Sequence, residues 1–338
     1  MKRYLAFIII LFLFAGTALA GDEVNLYSAR KENLIKPLLD RFTAETGIEV
    51  NLVTGKASAL LKRLQAEGRN TPADLFLTVD AGRLHVAKQA GLLQPVESEV
   101  LLAAIPAHLR DRDNQWFGLS KRARVIVYSK QRVKPEMLST YEDLADPKWK
   151  GKICIRSSGN IYNQSLLASL IAHHGEAEAE KWAAGVVGNM ARPPRGNDRA
   201  QVKAIAIGEC DIAVVNSYYL GNMQTSSDQR EREAAARVAL FFPNQNDRGA
   251  HINISGAGIT KHAANRDNAR KLLEFLVSDE AQKWYADSNH EYPVKAGIEV
   301  SPIVKAWGYP FKEDTLDMGK LGQYNVTAVK IFDRVGWR

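Results

Sequence analysis

Apolar positions recur along this chain with two periods. Val24 to Tyr27 is a short apolar run that leaves at a Ser28-Ala29 turn. Leu34, Ile35, Leu38, Leu39 and Phe42 then repeat at helical spacing up to Gly47. Ile48, Val50 and Leu52 alternate as a half-buried strand does, and Leu60, Leu61 and Leu64 form another helical stripe stopped by Gly68. Leu75-Phe76-Leu77 reads as a buried strand and Leu84 to Ala90 as a helix ending at Gly91. This βαβαβα order predicts a largely parallel sheet covered by helices on both faces.

The middle of the chain repeats the logic. Val125 to Tyr128 and Lys152 to Ile155 read as strands, the second leading into a Leu- and Ala-rich helix from Ile161 to His173. Asp198 to Ile207 is a helix closed by Gly208, and Ile212 to Val215 is the next buried strand. Ile252 to Ile259 reads as a strand returning toward the first sheet. Asn268 to Tyr285 reads as one long amphipathic helix with Leu272, Leu273, Phe275, Leu276 and Trp284 on its apolar side. There is no repeat of fixed period and no long linker, and 338 residues exceed what one compact core usually serves. The pattern therefore predicts two α/β lobes with mostly parallel sheets, joined by several crossings. Residues 21–122 with 248–298 would form the first lobe, and 123–247 with 299–338 the second.

Composition changes this picture little, since 46% hydrophobic and 25% charged residues are ordinary for a globular chain. The start does change it. Lys2 and Arg3 precede a nearly apolar stretch from Tyr4 to Ala15, and Ala18-Leu19-Ala20 places small residues where a signal peptidase reads. Residues 1–20 read as a cleaved signal peptide, the apolar run being short for a bilayer span. Residue 21 is Gly, so no cysteine stands there to carry a lipid. The leader holds two bases and no acid, so the formal charge falls from +7 to +5 on cleavage. The remaining bases are interleaved with acids, as in Arg230-Glu231-Arg232-Glu233, which argues for a solvated surface and against a nucleic-acid partner.

Enzyme motifs are missing: no G-x-S-x-G elbow, H-E-x-x-H helix, P-loop or G-x-G-x-x-G turn occurs. His173-His174 ends a helix, where a cation complements the dipole more simply than it ligates a metal. The informative cluster is tyrosine. Tyr218 and Tyr219 follow the buried strand Ile212 to Val215, and Tyr162 follows the strand at Lys152 to Ile155, so all three lie where α/β sheets bind ligands. Neighbouring side chains on an extended chain diverge, so Tyr218 and Tyr219 converge only if the backbone bends there, for example into a helix. Phenolate is a hard anionic donor suited to a small, highly charged cation such as ferric iron. By spacing alone, interface packing is the commoner use of such a pair. Ser157-Ser158-Gly159, with Asn160 beside it, has small residues before a helix N-terminus, an arrangement that binds an anion or simply caps the helix. Arg122 and Arg124 open a strand between the lobes, where one of the two would face the cleft to hold an anion; a structural ion pair is the other reading.

At these residues the mature chain resembles a periplasmic ferric-ion-binding protein, the substrate-binding component of an iron ABC importer. The resemblance runs nearly end to end: Leu26-Tyr27-Ser28-Ala29-Arg30, Pro72-Ala73-Asp74-Leu75-Phe76, Arg122-Ala123-Arg124-Val125-Ile126-Val127-Tyr128 and Asp146-Pro147-Lys148-Trp149-Lys150-Gly151. It continues through Arg156-Ser157-Ser158-Gly159-Asn160-Ile161-Tyr162-Asn163-Gln164, Asn216-Ser217-Tyr218-Tyr219, Ser255-Gly256-Ala257-Gly258 and Glu291-Tyr292-Pro293. The tyrosine segments are its specific part. It implies a two-lobed Venus-flytrap closing on Fe(III), phenolate ligation by Tyr162, Tyr218 and Tyr219, and an anion, carbonate foremost, completing the coordination. Many relatives carry a His or His-Tyr ligand after the Tyr-Ser-x-Arg segment. Here Arg30-Lys31-Glu32 and Thr78-Val79-Asp80 stand instead, which makes Arg30 and Arg122 anion holders and Asp80 a weaker candidate ligand.

The resemblance also implies a monomer in the periplasm serving a permease and its ATPase. Neighbouring parallel strands would bring Cys154 and Cys210 together, and an oxidising compartment would let them bond; two buried free thiols are the alternative. The competing functions are a binding protein for another small anion or a polyamine, and a secreted hydrolase using Ser157 or Ser158.

Overall fold

The computed structural model describes residues 22–338, so the leader and its cleavage site lie outside the described residues. β1 (Glu23–Ser28), α1 (Glu32–Thr46), β2 (Glu49–Thr54), α2 (Ala57–Glu67), β3 (Leu75–Val79) and α3 (Ala81–Gln89) alternate as the periodicity requires. α4 (Glu99–Ala104) leads to the long strand β4 (Phe117–Ser129), and β5 (Ile153–Cys154) runs into α5 (Ile161–His174). Then come α6 (Glu176–Asn189), α7 (Asp198–Ala206), β6 (Ile212–Asn216), α8 (Ser217–Gln224), α9 (Gln229–Ala236), β7 (Val238–Phe241) and β8 (Ile252–Ile259). The chain closes with α10 (Arg266–Phe275), α11 (Asp279–Asn289), α12 (Pro302–Ala306), α13 (Gly319–Gln323) and α14 (Asn325–Arg334).

The strands lie in the order β2-β1-β3-β8-β4-β6-β5, with β7 also paired to β4. The pairing is mixed, not mostly parallel. β1 pairs in parallel with β2 and β3, and β5 with β6. β3–β8, β4–β8, β4–β6 and β4–β7 are antiparallel. The cause is the two strands that run between the halves: each returns against its neighbours instead of arriving through a crossover helix. β4 is shared, pairing with β8 up to Ala123 and with β6 from Arg124 onward. Successive residues of β4 feed opposite faces, so Val125 and Val127 join the larger core while Ile126 and Tyr128 join a second one under α5, α6 and α14.

Two elements differ from the periodicity. β4 extends well beyond Val125 to Tyr128 with Lys121, Arg122 and Arg124 buried inside it; Lys121 pairs with Glu313 and Arg124 with Asp198, while Arg122 donates only to Ser255 Oγ. The long helix from Asn268 is two helices: Ser278 accepts a hydrogen bond from the Ala281 N–H as a new N-cap, with Asp279 and Glu280 in the first turn. Near the C-terminus, α13 lies between α3 and α5. A Cβ on Gly322 would stand 2.3 Å from the His85 Cβ, so glycine is what allows this close crossing. Cys154 and Cys210, with Cα atoms 5.8 Å apart, are joined as a disulfide beneath β5 and β6.

Candidate metal and anion site

β6 ends at Asn216, and Ser217 begins α8 at once, so Tyr218 and Tyr219 occupy the first turn of a helix. That bend turns side chains which would diverge on a strand toward one space, with ring centroids 4.4 Å apart. Tyr162 occupies the first turn of α5, whose N-cap Asn160 accepts from the Asn163 N–H. The Tyr218 Oη donates to the Tyr162 Oη at 3.5 Å, and Asn216 Nδ2 donates to Tyr218 at 3.4 Å. The three phenols line one cavity of about 480 Å³, closed from the other half by Arg30, Lys31, Val79, Ser255 and Glu291. A wider groove of about 900 Å³ beside it, between Lys31 and Lys56, carries no phenol.

Burial, with Tyr162 and Tyr219 nearby, holds the Tyr218 phenol well above its usual range, while Arg122 opposes the shift. Burial, Tyr162 and Asp198 push Tyr219 up to about 12. Both phenols are therefore neutral near pH 7 until a cation replaces the proton.

The arginines divide. Arg122 is buried and donates one weak bond, to Ser255 Oγ at 3.4 Å; its Nε and Nη2, which form one edge of the guanidinium, have no partner. The same group lies 5.3 Å from the Tyr162 ring centre. Such an edge grips a planar oxyanion through two parallel bonds. Arg30 is committed to Glu291 at 2.5 Å and to Ser255 at 3.2 Å, leaving only its Nε without an acceptor. Arg124 takes the structural reading: it pairs with Asp198 at 2.6 Å and donates to Asn163 and Asn216.

The remaining candidates lie apart from the cavity. Asp80 caps α3 and spends its carboxylate on the Gly82 N–H, Ser165 Oγ and Asn253 Nδ2. Burial raises its pKa, and it does not line the cavity. Ser157, Gly159 and Asn160 line a second chamber of about 360 Å³ that shares only the Tyr162 and Tyr219 side with the first. Ser158 lines neither; its carbonyl accepts from Gln164 Nε2. His173 and His174 reach Asp314 and Glu142, each at 2.8 Å, far from the phenols in role. Among the described residues there is no cluster of three His, Cys, Asp or Glu side chains suited to a metal.

Sequence reasoning missed Glu291, the acid that neutralises Arg30, and Asp198, which holds both Arg124 and Arg156. It also missed Asn197 and Arg199 on the rim of the cavity. Glu291 stands in the Glu-Tyr-Pro segment, where a carboxylate next to Tyr292 was the available signal.

Two halves joined through shared strands, with a polar cavity lined from both, define a two-lobed periplasmic binding protein fold. Residues 70–306 match the model of a family described as bacterial extracellular solute-binding protein, and the chain belongs to that family. It is 52% identical to "Iron uptake protein A1" of Synechocystis over 96% of this chain and 90% of that one. To "Iron uptake protein A2" of the same organism it is 49% identical over 93% of this chain and 90% of that one. Its fold is similar to a Trichodesmium structure (IdiA, FutA) in complex with iron and citrate ligands. That pair has a TM-score of 0.91 and 54% identity, covering 94% of this chain and all of that one.

Proposed function

We propose that this chain captures ferric iron in the periplasm and hands it to an inner-membrane ABC importer. Three phenols meeting in one cavity, beside a buried guanidinium edge without an acceptor, is the observation that carries this reading. In it, Tyr162, Tyr218 and Tyr219 bind Fe(III) as phenolates, whose three negative charges balance the cation. Arg122 holds a small anion such as carbonate against the metal, and Arg30, already paired with Glu291, steadies the wall behind it. The relatives named for iron uptake and the iron-bearing Trichodesmium structure support the choice of cargo.

The lobes are 21–122 with 248–298 and 123–247 with 299–338, and iron shifts their population toward the closed form. Among the described residues no helix is long and apolar enough to cross a membrane, which fits a chain that works beside its permease. The rival hydrolase has little to use: no His, Asp or Glu joins Ser157 in lining the second chamber. The test is to add ferric salt and bicarbonate to mature protein. A tyrosinate visible band should grow to one equivalent, with a smaller radius of gyration by solution scattering. A colourless, non-saturating titration sinks the reading.

A further inference from the structure

α8 carries Tyr218 and Tyr219 in its first turn, and its later residues lie against the end of α11. The two helices belong to different halves in the lobe division proposed above. Asn222 Nδ2 donates to the Tyr218 carbonyl and to Asn289 Oδ1, each at 2.9 Å, and both asparagines line the cavity beside the phenols. One residue further along each helix, the His290 ring lies over Gly221. A Cβ on Gly221 would stand 2.6 Å from His290 Cδ2 and 2.7 Å from its Cγ. The ring is buried and held at both nitrogens. Thr225 Oγ1 donates to the Gly221 carbonyl at 3.1 Å and so is left to accept from His290 Nε2 at 3.5 Å; Nδ1 then accepts from the Ser301 hydroxyl at 3.2 Å.

Both residues at this contact run against their local preference. Gly221 stands in the middle of a helix, where alanine is the better former. His290 ends α11 in the left-handed region, at φ 51°, where glycine or asparagine is usual. Neither helix explains its own exception. Together the two exceptions explain one another: the missing side chain on α8 makes the notch, and the histidine on α11 fills it.

We propose that Asn289 and His290 form a latch for the phenol-bearing helix, engaged when the halves close. This rests on the ferric reading and on its lobes. Neither residue touches the metal in that reading; both are positioning residues that act through α8. With the ring in its notch and Asn222 tied to Asn289, the first turn of α8 is set against the wall that carries Arg122. Opening breaks these contacts, so they add to the preference of the iron-loaded protein for the closed form and slow the loss of iron.

Mature protein loaded with Fe(III) and bicarbonate should be challenged with excess chelator and iron loss followed at the tyrosinate band. Gly221→Ala keeps every phenol oxygen, so the band should hold its position while release speeds up about tenfold or more. Iron-free Gly221→Ala should melt at or above the wild-type temperature, because alanine favours the helix and the open form has no ring against it. His290→Ala should also release iron faster. In that background Gly221→Ala should change the rate less than about twofold, since the added methyl meets only vacated space. Wild-type retention by Gly221→Ala, an equal effect of the methyl with and without the ring, or a lowered melting temperature of the iron-free variant overturns the latch. Wild-type protein that takes up no iron ends the ferric reading and this one together; wild-type protein that binds iron while Gly221→Ala retains it equally well ends this one alone.

Discussion

Acidification should expel iron from this site steeply, and the slope can be worked from the two buried phenols. Burial first, then the neighbouring phenols and Asp198, hold Tyr218 well above its ordinary range and Tyr219 at about 12. Both therefore carry protons at pH 7, and Fe(III) must displace them to bind as phenolates. For Tyr219 alone, holding the anion at pH 7 costs about 7 kcal/mol, at about 1.4 kcal/mol per pH unit, and the metal's charge supplies it. The sign follows directly: protons compete with iron for the same oxygens, so affinity falls as pH falls. Each displaced proton contributes about one decade per pH unit, so these two of the three phenols alone give a loss of at least about 100-fold between pH 7.5 and 6.5, or about 2.7 kcal/mol. The assay is competition against a chelator of known proton affinity, read at the visible band, with proton uptake checked by calorimetry in two buffers. A slope of one decade per pH unit or less, after correcting for the chelator, would falsify two-proton displacement and with it paired phenolate ligation.

Three further outcomes follow from named contacts. Tyr219→Phe removes one phenol oxygen but keeps the ring against Tyr218, so iron affinity and the visible band should fall while the thermal midpoint of iron-free protein hardly moves. Arg122→Ala should keep the tyrosinate band, because no ligand oxygen is lost, yet shorten iron retention and blunt its response to bicarbonate by about 10–100-fold; chelator-driven release kinetics read this. In denatured, unreduced mature protein no thiol should titrate. Reduction of Cys154–Cys210, which closes a separation of 56 residues, should lower unfolding stability by about 4 kcal/mol in a denaturant titration.

The alternating strand and helix stripes of the first third were legible because their apolar residues keep a helical or strand period, and α1 and α2 stop at Gly47 and Gly68. What a strand's own residues do not carry is which neighbour it meets. β8 looks like any buried strand in sequence, and only its placement between β3 and β4 makes the sheet mixed. The break before α11 was legible in principle: Ser278-Asp279-Glu280 is an N-cap followed by first-turn acids, but the hydrophobic stripe runs on through it. The bend that brings Tyr218 and Tyr219 together was legible only as a condition. An extended chain could not converge them, and the structure meets the condition by starting α8 at Ser217.

The anion residues were the hardest to place, and the reason is distance along the chain. A guanidinium in isolation is equally fit to hold a ligand or to close an ion pair; the nearest carboxylate decides. For Arg30 that carboxylate is Glu291, 261 residues on, and for Arg124 it is Asp198, 74 residues on. Arg122 stands two residues before Arg124 on β4 and has no carboxylate partner, so its free edge remains for an oxyanion. The i, i+2 spacing of Arg122 and Arg124 places both on one side of β4 and cannot tell them apart. Their roles separate because β4 changes neighbours between them: Arg122 pairs in register with Asn253 of β8, Arg124 with Asn216 of β6. The crossing strand that joins the halves is thus also what assigns one arginine to the cavity and the other to the frame behind the phenols.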